Sequence, residues 1–168
     1  MINSSVDGAS DFAPHGNPVW REQSDFIIHA AIPDSESPRW EQLWVQRLDE
    51  NEFRICCIPF FIYDLALGDV VSVRETTQFR FLFDRVLKPS GHTVFRVWLG
   101  DSSDDPKGLI HSIANVGGLV ERYSDNLFGV DVYGAEQTRE MANFLESLER
   151  AKALVFETGA SYFSRWRL

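Results

Sequence analysis

The chain has 168 residues, of which 25 are Asp or Glu and 16 are Lys or Arg, so its formal net charge is −9. Binding to nucleic acid phosphates depends on Lys and Arg, and this balance therefore argues against nucleic acid and favours a basic protein partner. Hydrophobic residues make up 44% of the sequence, but no stretch approaches the ~20 apolar residues that cross a bilayer. We expect a globular protein that binds no membrane.

The first 25 residues are rich in Ser, Gly, Asp, Asn and Pro and show no hydrophobic periodicity. This composition predicts a flexible N-terminal arm over residues 1–25. The segment also lacks the basic and apolar regions of a signal peptide, which predicts a cytoplasmic protein. Cys56 and Cys57 are adjacent, a poor spacing for a structural disulfide, and we expect both thiols to be reduced.

Short segments of alternating apolar and polar residues characterise residues 26–91. In the segment 40–48, for example, Leu43 and Val45 share one face while Trp44 and Gln46 share the other. A period of two predicts β-strands, and the whole β-rich half is expected to form an antiparallel sheet or a small barrel. The predicted strands are Phe26–Ile32, Trp40–Leu48, Phe53–Ile58, Val70–Arg74 and Gln78–Leu87.

Residues 92–157 change pattern and read as strand, helix, strand, strand, helix, strand. Asp105 is the predicted N-cap of the first helix, with Pro106 at its first position, and Gly117 follows its end. The order predicts a ferredoxin-like half, in which two helices cover one face of a four-stranded sheet, and an α+β class for the chain. Residues 158–168 form an aromatic C-terminal tail, which we expect to pack across the junction of the halves.

The side chains carry no signature of catalysis or of a metal site. Cys56 or Cys57 would need a neighbouring base to act as a nucleophile, and the four histidines lie in no recognisable motif. Zinc spacing, calcium-loop spacing and glycine-rich phosphate loops are also missing. We therefore predict no catalytic residue, no metal and no cofactor, and keep a cysteine-dependent enzyme only as an alternative.

The densest apolar stretch has a structural and a functional interpretation. Pro59 cannot donate to a strand ladder, so the chain must end a strand or bend there. Asp64 and Asp69 fit turn positions around a glycine. In the functional interpretation, the same two carboxylates form the polar rim of a small apolar pocket, whose walls are Phe60, Phe61 and Tyr63.

The same stretch, Ile-Pro-Phe-Phe-Ile-Tyr-Asp-Leu-Ala-Leu-Gly-Asp-Val-Val at residues 58–71, carries a resemblance. Together with the segment 40–48, it resembles a bacterial domain family of unknown function, over roughly residues 38–157. The family has no catalytic assignment, so the resemblance implies little about activity. We interpret the motif positions as structural, and they are Pro59, Phe60, Tyr63, Asp64, Gly68 and Asp69.

Small acidic bacterial proteins without an active-site signature are similar to the immunity proteins that neutralise polymorphic toxins. We therefore predict a non-enzymatic protein-binding protein, an immunity protein that neutralises a cognate basic toxin by direct contact. A small-ligand sensor module is the alternative, and the partner's identity and the oligomeric state stay open. The candidate partner-binding residues are Asp101, Asp104, Asp105, Glu136, Glu140, Tyr162 and Trp166.

Overall fold

The computed structural model describes residues 10–100 and 105–160, which form a mixed α+β fold with two sheets and two α-helices. The predicted α+β class is confirmed. None of the helices in these two ranges is long and apolar enough to cross a membrane.

The first sheet is built from residues before Gly91. A short 3₁₀ helix at Arg21–Gln23 lies between its first two strands. The strands are β1 (Phe12–Ala13), β2 (Phe26–Ala31), β3 (Trp40–Arg47), β4 (Glu52–Ile55), β5 (Val70–Arg74) and β6 (Leu82–Lys88).

The strands of the first sheet form a closed series of pairings, in which β3 pairs with both the first and the last strand of the series, β2 and β4. This strand pairs with β2 along one edge and with β1 and β4 along the other. β2 pairs with β6, β6 with β5, and β5 with β4. The β1–β3 and β2–β6 pairs are parallel, so the sheet is mixed and not wholly antiparallel as predicted. Alternation fixes which side chains point inward, but it carries no information on the direction of the neighbouring strand.

The second sheet is built from the residues after Gly91 and is antiparallel throughout, in the order β10-β7-β9-β8. Its elements are β7 (His92–Trp98), α1 (Pro106–Asn115), β8 (Leu119–Arg122), β9 (Leu127–Tyr133), α2 (Gly134–Arg150) and β10 (Val155–Ala160).

Both helices cover one face of the second sheet, where Phe95, Ile113 and Met141 belong to one buried cluster. The predicted N-cap is present, because the Asp105 carboxylate accepts the N–H of Gly108 at 2.9 Å. Other side chains of this sheet pack toward the first half, in a cluster that joins Val94 and Ala160 to Ile58 and Ala66. The segment between β4 and β5 therefore lies at the junction of the halves.

Two predicted strand boundaries are corrected. The strand predicted at Phe53–Ile58 ends at Ile55, and the one predicted at Gln78–Leu87 begins at Leu82. In the second case Thr76 forms a turn with Phe79, which donates its N–H to the Thr76 hydroxyl at 2.9 Å.

Residues 10–25, predicted as part of a flexible arm, are packed against the body. The strand β1 pairs with β3, His15 is only 3% exposed, and the Trp20 N–H donates to the Cys56 carbonyl at 3.1 Å. These contacts use single residues from a polar segment, so hydrophobic periodicity gave no sign of them. The predicted tail over residues 158–168 is corrected at its start, because residues 158–160 belong to β10. Residues 1–9, 101–104 and 161–168 lie outside the described ranges.

Candidate functional site

A buried cluster of one histidine and two glutamates joins three distant parts of the chain. The His15 Nε2 lies 3.0 Å from Glu41 Oε1, and its Nδ1 contacts Glu121 Oε1. Glu41 comes from β3, Glu121 from β8, and neither exposes more than 2% of its surface. The imidazole also stacks on the ring of Phe60 at 4.4 Å between centroids. The cluster therefore links the N-terminal segment to both sheets.

The two carboxylates also hold the bend segment, residues 56–63, in place. Glu121 Oε2 accepts the N–H of Ile58 at 2.8 Å. Glu41 accepts the N–H of Phe60 at 2.6 Å and that of Phe61 at 3.0 Å. Pro59 interrupts strand pairing here, and the carboxylates replace the ladder partners that these buried N–H groups would otherwise lack.

The electrostatics of the cluster favour a protonated histidine. Burial acts to lower the pKa of His15, but contacts with Cys57, Glu121 and Glu41 outweigh it and hold this pKa well above its ordinary value. An imidazolium between two buried carboxylates is a compensated arrangement of charge, which is the condition for keeping charged groups inside a protein. We interpret the cluster as structural.

Both cysteine side chains are fully buried and form no disulfide. Burial, together with the neighbouring Cys57, raises the pKa of Cys56 to about 11. Burial also raises the pKa of Cys57, although His15 opposes the effect. A thiol that is buried and protonated is a poor nucleophile, so this geometry does not favour the cysteine-dependent alternative.

A cavity of about 560 Å³, the aromatic cavity, opens beside the bend segment. Its surroundings include three half-exposed side chains, Tyr63 (53%), Trp98 (45%) and Val155 (53%). The lining residues are Ile32, Pro33, Ser35, Phe60, Phe61, Tyr63, Arg96, Trp98, Leu127, Val155, Phe156 and Glu157.

Arg96 is the buried cation of this cavity. Its Nη1 donates to Glu157 Oε1 at 3.3 Å, and its Cζ lies 4.1 Å from the centre of the Tyr63 ring. The Tyr63 hydroxyl completes the group by donating to Glu157 at 3.0 Å. A Cβ on Gly159 would come within 3.1 Å of Arg96 Nε, so the glycine leaves room for the guanidinium. Arg96 Nε and Nη2 are buried and make no hydrogen bond within the described residues.

The structure brings together only part of the predicted pocket. Phe60, Phe61 and Tyr63 do line one cavity, but Asp64 and Asp69 are not among its lining residues. Asp64 and Gly68 instead have positive φ angles of 56° and 79°, as turn residues. The carboxylate of Asp69 accepts the backbone N–H groups of two residues, Ala66 and Ser90. The charged groups of the cavity are Arg96 and Glu157, which the sequence prediction missed.

The predicted partner-binding residues are only partly described. Asp101, Asp104, Tyr162 and Trp166 lie outside the described ranges. Asp105, Glu136 and Glu140 are exposed and none of them lines the aromatic cavity.

No group of three or more His, Cys, Asp or Glu residues in ranges 10–100 and 105–160 is placed to hold a metal ion.

Comparisons with known proteins give a family and a fold. A solved structure described as a hypothetical protein from Neisseria gonorrhoeae is similar, with a TM-score of 0.67 and 24% sequence identity. The similarity covers 80% of this chain and 93% of that one. No curated protein matches the chain. Residues 41–156 match a family described as a domain of unknown function, DUF4265. The chain therefore belongs to the DUF4265 family.

Proposed function

We propose that this chain is a non-enzymatic protein-binding protein whose binding surface is centred on the aromatic cavity. The observation that carries this proposal is the group of half-exposed Tyr63 and Trp98 around a cavity that contains Arg96. Tyr, Trp and Arg are the residue types that dominate binding hot spots, which form in pockets that a partner can desolvate. Exposed apolar groups collected around one cavity are a feature of binding surfaces.

In the role we propose, the partner is a basic bacterial toxin that the chain neutralises by direct contact in the cytoplasm. The net charge of −9 supports long-range attraction of a basic protein. Glu136 and Glu140 lie one turn apart on α2 and are exposed, and neither has a hydrogen-bond or ion-pair partner within the described ranges. Such carboxylates would steer association, while the aromatic cavity would supply the buried contacts.

The finer fold assignments are also part of this proposal. The order β10-β7-β9-β8, with both helices on one face, supports a ferredoxin-like second half. The closed series of pairings supports a small barrel in the first half. Two rigid halves that meet at the bend segment would present the cavity as a preformed surface.

The test compares captured proteins between variants. The purified chain is used as bait in lysate of its source, beside Tyr63→Ala, Trp98→Ala and the control Tyr133→Ala, a tyrosine that is 66% exposed outside the cavity. We expect one basic protein to be retained by the wild type and by Tyr133→Ala, and to be lost from both cavity variants. Equal retention by all four proteins would remove the cavity from the interface.

Steering is tested on the same partner. Glu136→Lys combined with Glu140→Lys should slow association and weaken its dependence on salt, and leave dissociation nearly unchanged. An association rate equal to that of the wild type would remove α2 from the approach path.

A small-ligand sensor is the second candidate, because the cavity volume lies within the range of small-molecule sites. The buried Arg96 N–H groups without partners would suit a ligand carboxylate. Benzoate, indole-3-acetate and phenylpyruvate would then raise the melting temperature in a saturable way, and less so in Trp98→Ala. A flat response to all three would leave the protein-binding function as the better proposal.

A further inference from the structure

A second cavity, of about 370 Å³, shares no lining residue with the aromatic cavity. We infer that this polar cavity binds a phosphate group, either free phosphate or a small phosphate monoester, through Arg54, Lys88 and His92. The inference is independent of the proposed protein-binding function, because it concerns different residues.

The side chains that line the polar cavity include basic residues and no acidic ones, although the chain as a whole is acidic. Acidic residues outnumber basic ones by 25 to 16 in the sequence, yet none of the residues that line this cavity is Asp or Glu. Three nitrogen-bearing side chains meet there from three strands, Arg54 on β4, Lys88 on β6 and His92 on β7. Arginine and lysine in one concave site are the groups that proteins use to bind phosphate.

Two of the three side chains are already oriented. Arg54 Nη1 donates to Gln46 Oε1 at 3.0 Å, which fixes one end of the guanidinium. His92 Nδ1 lies 2.7 Å from Asp131 Oδ2, and Asp131 is only 1% exposed. This contact leaves Nε2 as the ring nitrogen available to a ligand, in the arrangement by which a carboxylate orients a histidine.

The carboxylate behind His92 is buried and interacts with that of Asp69. Burial raises the pKa of Asp131 to about 6, although the contact with His92 opposes the effect. Its second oxygen, Oδ1, has no hydrogen-bond partner within the described residues.

One corner of the cavity is formed by Gly68 and Asp69, two residues of the stretch 58–71 that do not line the aromatic cavity. Gly68 has a φ of +79°, and a Cβ there would lie 3.1 Å from the Ser90 Cβ and 3.2 Å from the Trp20 ring. A side chain at this position would be crowded by Ser90 and Trp20 and strained by the positive φ, so the site favours glycine. Asp69 fixes the same corner by accepting the Ser90 N–H at 2.8 Å. Gly68 and Asp69 thus shape the cavity, and the cations supply its charge.

The experiment measures binding by isothermal titration calorimetry at constant ionic strength. The probes are inorganic phosphate, glycerol 3-phosphate and ribose 5-phosphate, with acetate as the control anion. The variants are Arg54→Gln and Lys88→Gln, and the matched control is Arg85→Gln, an exposed cation on β6 that does not line the cavity. Urea unfolding of each variant verifies that the fold is intact.

We expect saturable binding of at least one phosphate probe and none of acetate. Arg54→Gln should weaken binding by about tenfold, since it removes charge-assisted hydrogen bonds, and Lys88→Gln should weaken it to a smaller degree. Arg85→Gln should change the dissociation constant by less than about twofold. Tighter binding of an ester than of inorganic phosphate would assign the site to phosphate monoesters, and the reverse order would assign it to free phosphate.

Two results would overturn the inference. One is the absence of saturable binding of all three phosphate probes to the wild-type protein. The other is equal weakening by Arg54→Gln, Lys88→Gln and Arg85→Gln, which would mean that the anions respond to overall charge and not to this cavity.

Discussion

Glu41 and Glu121 stabilise residues 58–61, which belong to no strand. Between them they accept four backbone N–H groups, those of Val19, Ile58, Phe60 and Phe61, as well as contacts from His15. These hydrogen bonds compensate the buried carboxylates for the loss of water. Stability falls when one partner is removed, because the other partners then stay buried without a hydrogen bond or an opposite charge.

At this scale we predict that Glu41→Gln destabilises the protein strongly. The substitution keeps the shape but removes the charge opposite His15, and its NH₂ group faces N–H donors. We expect the free energy of unfolding, measured by urea titration, to fall by about 3 kcal/mol. Glu140→Gln, at an exposed site on α2, should change it by less than about 0.5 kcal/mol. A loss no larger than that of this control would show that the cluster contributes little to stability.

At the scale of elements, the bend segment packs directly on β9. A Cβ on Gly129 would lie 2.6 Å from Ile58 Cγ2, and Ile58 itself is fully buried. The approach of the two halves thus depends on a strand residue without a side chain. Phe60 and Tyr63 belong to the same bend segment as Ile58, so this contact also sets the position of the aromatic cavity wall.

We predict that Gly129→Ala costs about 1 to 3 kcal/mol of unfolding free energy, because overpacking at a buried contact forces the bend segment away from the sheet. Gly16→Ala is the matched control, since a Cβ at that exposed site meets nothing within 4 Å. The double variant Gly129→Ala with Ile58→Ala should lose less than the sum of the single losses. Strict additivity would contradict a direct clash between the two positions.

At the scale of the whole molecule, local sequence patterns predict the helices and strands, but contacts between distant residues determine which side chains form the buried cluster and the cavities. Alternation located β3, and the Asp-Pro pair located the start of α1. The inward face of β3 also carries Glu41, however, and its partner His15 belongs to a segment without periodicity. No local rule identifies a buried carboxylate whose partner lies in another part of the chain.

The lining of the cavities was likewise predictable only where the residues are close in the sequence. Phe60, Phe61 and Tyr63 were predicted to share a pocket because they are neighbours in the sequence. Arg96 and Glu157 could not be assigned to it, since they lie 61 residues apart and meet only through the pairing of β7 with β10. His92 and Asp131 likewise meet through the pairing of β7 with β9.

The last prediction concerns the pH dependence of stability, to which two buried groups contribute with the same sign. The pKa of Asp131 is raised from 3.8 to about 6, so the folded state binds more protons than the unfolded state between these pH values. Stability from this group is therefore present at low pH and is lost as pH rises from about 4 to 6, by on the order of 2 to 3 kcal/mol.

The pKa of His15 is also raised, well above 6.5, and its contribution is complete below 6.5 and lost as pH rises through its folded pKa. Urea unfolding at pH 4.5, 6 and 8 checks both effects. Asp131→Asn should reduce the loss of unfolding free energy between pH 4.5 and 6 and leave the loss between pH 6 and 8 unchanged. Asp125→Asn, at a fully exposed carboxylate, should leave the loss of unfolding free energy unchanged in both pH intervals. If Asp131→Asn kept the full slope between pH 4.5 and 6, another group would be responsible for it, because a proton bound at Asp131 could no longer be released there.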